Sequence, residues 1–80
     1  MTTNAPASGP LLAGDQVLAI AQADAVRVYR DLSRYTIRLA LESDGWHVDY
    51  DLRDRKWKGG GPHYVIDAVT GAILSKRYEQ

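Results

Sequence analysis

Two histidines stand at spacings that bring carboxylates alongside them. His47, Asp49 and Asp51 recur every second residue, and His63 and Asp67 are separated by four. In a strand, residues an even number apart share a face, so each histidine is expected beside an aspartate. Imidazole nitrogens and carboxylate oxygens are donors to divalent metals, and a His–Asp pair is the basic half of a nucleophilic site. The other parts of either chemistry are missing. There are only two histidines and no cysteine, and Ser33, Ser43 and Ser75 sit in no elbow-like motif. Gly59-Gly60-Gly61 lacks the Lys-Ser/Thr and helix that would make it a phosphate cradle. The expectation is a solvated sheet face with no catalytic residue, metal or cofactor: a non-enzymatic protein.

A second constellation is Arg53, Arg55, Lys56 and Lys58 around Trp57. Phosphate pairing with base stacking would suit single-stranded nucleic acid. Trp and Arg also dominate protein-binding hot spots, and Trp57 folded back over the sheet edge is a third reading. Asp54 interrupts the patch, and ten basic residues balance ten acidic ones over the chain. Neutral charge argues against nucleic acid and anionic membranes.

The elements that must position these residues follow from periodicity. Residues 1–12, rich in Pro, Ala, Thr and Ser, are read as a flexible tail, and residues 13–80 as one α+β domain. Asp15 is the expected N-cap of a helix running to about Leu32. Leu18, Ala21, Ala25, Val28 and Leu32 form its apolar stripe, with Val17 and Tyr29 at the margins and Ile20 out of pattern. From Tyr35 the period becomes two. Asp44-Gly45 is the expected two-residue turn, which would set Leu41 opposite Val48, Leu39 opposite Tyr50 and Ile37 opposite Leu52. On the polar side it would set Arg38 opposite Asp51 and Glu42 opposite His47. Trp46 shares the apolar face with Val48, Tyr50 and Leu52 and is expected in the core. After a long polar connection, a third strand over about His63–Ala68 and a fourth over about Ala72–Tyr78 flank a turn at Val69-Thr70-Gly71. Gly71 is expected left-handed there, with Asp67 bonding the turn amides. The register of this hairpin stays open between three- and four-residue loops. The fold class is thus one N-terminal helix on a four-stranded antiparallel sheet, α-β-β-β-β, with the second face wet.

Eighty residues make one small domain, which buries only about 60–65% of its unfolded surface. The first ten residues contain no Lys or Arg and no apolar run, so they do not read as a signal peptide. No window approaches the roughly 20 apolar residues of a membrane span. A cytoplasmic location and no membrane partner are expected. An open sheet leaves two edges, which leaves room for a homodimer.

The order helix, Trp-x-Val strand, Gly-Gly loop and Val-Ile-Asp-x-x-Thr-Gly-x-Ile-Leu is carried by Trp46, Val48, Gly59, Gly60, Val65, Ile66, Asp67, Thr70, Gly71, Ile73 and Leu74. It resembles the small immunity proteins with a nuclear-transport-factor-like, cystatin-like fold, which neutralise a cognate bacterial toxin. The Asp-x-x-Thr-Gly hairpin is similar also to PepSY domains, modules associated with protease inhibition. The resemblances imply a protein partner, toxin or protease, occluded by Arg38, His47, Asp49 and Asp51 on the wet face and by Arg55, Trp57 and Lys58 in the loop. A regulatory PepSY-like module and a small nucleic-acid binder using the Trp57 loop are the alternatives.

Overall fold

The computed structural model describes residues 10–54 and 60–79. One helix, α1 (Gly14–Val28), is followed by β1 (Tyr35–Glu42), β2 (Gly45–Leu52), β3 (Pro62–Ile66) and β4 (Ile73–Tyr78). The strands form one antiparallel sheet in chain order. The expected α+β arrangement is therefore the observed one.

The helix differs from expectation at both ends. Ala13, not Asp15, is the N-cap; lacking a side-chain oxygen, it instead donates its own N–H to Gln16 Oε1 at 2.8 Å. Asp15 lies in the first turn, where its charge suits the positive end of the helix dipole. The helix stops at Val28, short of Leu32. Val26 and Val28 are β-branched and disfavour its continuation, and Tyr29 turns extended (φ −111°, ψ 126°). Leaving the helix lets Tyr29 set its ring edge-on to Tyr35 and Tyr78, with centroids 6.0 and 6.1 Å away. The buried stripe is Val17, Ala21, Asp24 and Ala25. Val28 is exposed, while Leu18, Ile20 and Leu32 pack on the margin of the core.

The first hairpin keeps the expected faces but slides by two residues. Leu41 lies opposite Trp46, Leu39 opposite Val48, Ile37 opposite Tyr50, and Arg38 opposite Asp49. Ser43-Asp44, not Asp44-Gly45, forms the turn. A turn on Asp44-Gly45 would need positive φ at both residues, and only Gly45 has it, at 134°. Gly45 also passes close to the neighbouring strand: a Cβ there would sit 2.6 Å from the Ile66 carbonyl oxygen. Its missing side chain thus lets β2 start against the end of β3. Because the slip is even, every side chain stays on its expected face.

In the second hairpin β3 ends at Ile66, so Asp67 leaves the strand. Asp67 Oδ1 accepts the N–H groups of Val69 and Thr70, both at 2.8 Å, and Gly71 has φ 80°, as expected. Asp67 N–H donates to the Ala72 carbonyl at 2.8 Å, which settles the connection as the four-residue loop 68–71. A register shift between Val65 and Ile66 brings Ile73 opposite Ile66.

Val17, Ala21, Ala25, Val48, Tyr50, Tyr64 and Ile66 are the fully buried apolar core. Trp46 packs beside it, with its Nε1–H donating to the Leu12 carbonyl at 3.2 Å, while Leu12 N–H donates to the Ala68 carbonyl at 2.7 Å. Leu12, placed in the tail on sequence grounds, is thus tied to the domain. The rest of the expected tail up to residue 9 lies outside the described residues. Gly61 is buried, and a Cβ there would sit 2.7 Å from the Tyr50 carbonyl oxygen. At this position of the triple glycine, closeness to β2 is what requires the residue.

The deepest polar group is Asp24, 9% exposed in the middle of the helical stripe. Its Oδ2 accepts the hydroxyls of Tyr64 at 2.9 Å and Tyr78 at 2.5 Å, and its Oδ1 accepts Lys76 Nζ at 3.1 Å. The Tyr78 bond, helped by Lys76 and Tyr64, holds the Asp24 carboxyl below its ordinary value even though burial opposes this. Burial and the Asp24 bond push the Tyr64 phenol far up.

Asp24→Asn is expected to cost about 1.5–3 kcal/mol in urea unfolding, the range for hydrogen bonds to a charged group. The native carboxyl binds its proton less tightly than the unfolded one. Its stabilisation is therefore complete above the unfolded value of about 3.9 and is lost as pH falls through the lower native value. The variant's stability should fall less steeply through that acid window than that of the parent. An equal slope would show that Asp24 carries no charge-linked stability.

Candidate functional site

Strand alternation divides the sheet. Val48, Tyr50, Tyr64 and Ile66 turn under α1, so their neighbours turn away from it. The outward face carries Thr36, Arg38 and Ala40 from β1, then His47, Asp49 and Asp51 from β2. It continues with His63 and Val65 from β3, and Ser75 and Arg77 from β4. Of the residues expected to bind a partner, Arg38, His47, Asp49 and Asp51 are brought together here. Arg55, Trp57 and Lys58 lie outside the described residues.

The pairings within this face differ from those expected. Arg38 has Asp49 directly opposite, yet its Nε reaches diagonally to Asp51 Oδ2 at 3.0 Å. The expected Arg38–Asp51 pair therefore forms despite the register shift, because long side chains span the diagonal of an antiparallel ladder. Both partners are well exposed, so the pair contributes at most about 1 kcal/mol. Glu42 lies opposite Gly45 and not opposite His47. His47 Nε2 instead meets Asp44 Oδ1 in the turn at 2.7 Å. That bond holds the imidazole above its ordinary value, although burial opposes this, and holds the Asp44 carboxyl below its own.

His63 does not share a face with Asp67, because β3 ends before Asp67 is reached. Its partner is Asp49, directly across the β2–β3 ladder, with Nδ1 and Oδ1 2.7 Å apart. His63 Nε2 faces Glu79 Oε1 at 3.5 Å, and the other Glu79 oxygen takes Arg77 Nε at 3.1 Å. An alternating line Asp49–His63–Glu79–Arg77 thus crosses from β2 to the end of β4. Arg77 and Glu79 were not legible as members while the second hairpin's register was open. Their signal was the basic-acidic run after Ser75.

Chemically, both imidazoles are engaged by carboxylates, and the Ser33 hydroxyl is bonded to Asp31. Among the described residues no three His, Asp or Glu side chains converge on a metal position. The face has a shallow depression of about 200 Å³ over His47, Asp49, His63, Val65, Ser75 and Arg77. What it offers is a rigid backbone carrying charges of both signs, half-satisfied by one another and open to solvent. Among the described residues no helix is long and apolar enough to cross a membrane. Scans against protein-family models, curated proteins and solved structures find nothing that matches this chain.

The His47–Asp44 bond makes a prediction that NMR can check. The imidazole should titrate above the ordinary value of about 6.5, and Asp44→Asn should move its midpoint down. While Asp44 stays ionised, the pair's contribution to stability is complete below the unfolded histidine value and is lost as pH rises through the higher native one. A His47 midpoint at or below the unfolded value would mean that the bond does not form in solution.

Proposed function

We propose that the protein is a non-enzymatic binding protein that acts through the outward face of its sheet, and that it is an immunity protein occluding a cognate toxin. The observation that carries the binding reading is the polar row spread over four hydrogen-bonded strands. Arg38, Asp51, Asp49, His63, Glu79 and Arg77 intersperse basic and acidic groups across a face that α1 leaves open. A partner with complementary charges would be steered to such a surface and fixed in register by it. The finer reading rests on the resemblance of the Trp-x-Val strand and Asp-x-x-Thr-Gly hairpin to small immunity proteins. On that reading this face and the Arg55–Trp57–Lys58 loop together cover the toxin's active cleft.

The test is to co-express the chain with the product of the adjacent gene and to measure both complex formation and that product's toxicity. A stoichiometric complex that abolishes toxicity is expected. Arg38→Ala together with Arg77→Ala should weaken the complex by roughly tenfold or more, while unfolding stability changes by no more than about 0.5 kcal/mol, as for ordinary surface substitutions. A complex unaffected by the double substitution would place the contact elsewhere. No complex with that product would remove the immunity reading while leaving the polar face to be tried against other proteins.

A further inference from the structure

We propose that the free edge of β1 is a homodimer interface, through which two copies of the chain join into one continuous eight-stranded antiparallel sheet.

The two edges of the sheet differ. β4 carries Lys76 and Arg77 in its middle and is joined to β3 across an irregular step. Charged residues and bulges are what keep an edge strand from pairing. β1 has no irregularity and no proline over its eight residues, and its one central charge, Arg38, is drawn back toward β2 by Asp51.

The bonding groups of β1 point the right way. Arg53 N–H donates to the Arg34 carbonyl at 2.9 Å, and in this register Arg34 stands opposite Arg53. Bonding alternates along an antiparallel ladder, so Thr36, Arg38, Ala40 and Glu42 bond to β2. Ile37, Leu39 and Leu41 then direct their N–H and C=O groups outward in the plane of the sheet. The same three side chains lie on the α1 side. The helix packs over β2 and β3 and leaves Ile37 45% and Leu41 46% exposed. One stretch of edge thus offers backbone groups without a partner among the described residues, together with half-exposed apolar side chains.

β1 is also self-complementary. A two-fold axis through Leu39 sets Leu39 against its own copy and Ile37 against Leu41 of the other chain, with the outward bonding groups of all three facing each other. On the polar side, Arg38 faces Ala40 of the copy, with Glu42 and Arg38 of the copy on its two diagonals. Sliding the copies by two residues one way sets Arg38 against Arg38. Sliding the other way sets Arg38 directly against Glu42 of the copy but carries Ile37 past the strand end, opposite Ser43. A one-residue slip opposes apolar and polar faces. The axial register is the one that pairs Ile37, Leu39 and Leu41 among themselves without setting the two Arg38 side chains face to face. It also places both polar faces on the same side of the joined sheet, whatever binds there.

Sedimentation of the full chain over a concentration series should show a dimer. Ile37→Lys with Leu41→Lys, both at half-exposed positions, should leave the circular dichroism unchanged and weaken the dimer by at least roughly tenfold. The chain has no cysteine, so Leu39→Cys gives an independent test. In the axial register the two Cα atoms would be about 5.5 Å apart, within disulfide reach, and mild oxidation should link two copies. Arg38→Cys, off the axis, should link poorly. A chain that remains monomeric at its highest soluble concentration overturns the proposal, including the case in which a foreign strand occupies the edge. So does a dimer indifferent to the lysine substitutions and not linked through Leu39→Cys.

Discussion

The carboxylate of Asp24 is the constraint on which the rest of the fold depends. A helix presenting alanines at positions 21 and 25 lets its axis approach the sheet closely, and the space between is filled from below by Tyr50 and Tyr64. The chain has five tyrosines and no phenylalanine, so its large rings arrive with hydroxyls that need acceptors when buried. Asp24 accepts two of these hydroxyls on one oxygen and the Lys76 ammonium on the other. A single helical residue thereby bonds to β3 through Tyr64 and to β4 through Lys76 and Tyr78. Losing this acceptor would leave the Tyr64 hydroxyl in the core without its partner, the costly side of hydrogen-bond energetics.

The tyrosines also form a chain of edge-on contacts. Tyr29 meets Tyr35, Tyr35 meets Tyr50, and Tyr50 meets Tyr64, with centroids 6.0 to 6.4 Å apart, while Tyr78 closes back on Tyr29. The hydroxyls at its outer end are tied to backbone: Tyr29 to the Glu79 carbonyl at 2.6 Å and Tyr35 to that of Gly60 at 3.3 Å. Each such bond fixes a segment beyond the regular elements, the chain after β4 in one case and the entry to β3 in the other. A small domain with a thin stability margin thus uses its rings twice, once as apolar filling and once as polar tethers. The Asp49–His63–Glu79–Arg77 row on the outer face is anchored at the same place, since Glu79 contributes its carbonyl to Tyr29 and its carboxylate to His63 and Arg77.

Period was the legible part of this chain. The change from a helical to a two-residue repeat at Tyr35 placed the elements, and parity placed every outward residue of β2 on its observed face. An error of two residues in the first hairpin left the faces intact, which is why Arg38, His47, Asp49 and Asp51 still converge. Parity could not yield partners. His47 pairs with a turn residue and His63 pairs across a ladder, and both depend on where strands end to within a residue. Asp24 was missed for a different reason. It occupies a core position of the helix, but a lone aspartate in an apolar stripe reads as an interruption. Its meaning lies in tyrosines and a lysine forty or more residues away, and no local pattern joins them.

Geometry then explains why the two sides of the sheet differ in kind. An α-helix with its side chains is about 10 Å across, and strands lie about 4.8 Å apart, so one helix shelters roughly two strands and part of a third. α1 sits over β2 and β3. Asp24 extends its hold to β4 by polar reach, because Lys76 and Tyr78 are long enough to meet it from the next strand. Among the described residues no such polar arm reaches Ile37 or Leu41 of β1, which stay half uncovered. The asymmetry follows from a single helix placed off-centre on four strands. It makes β4 an edge held by charge and hydrogen bonds, β1 an edge with bare apolar side chains, and the outer face a polar surface that no part of the described chain covers.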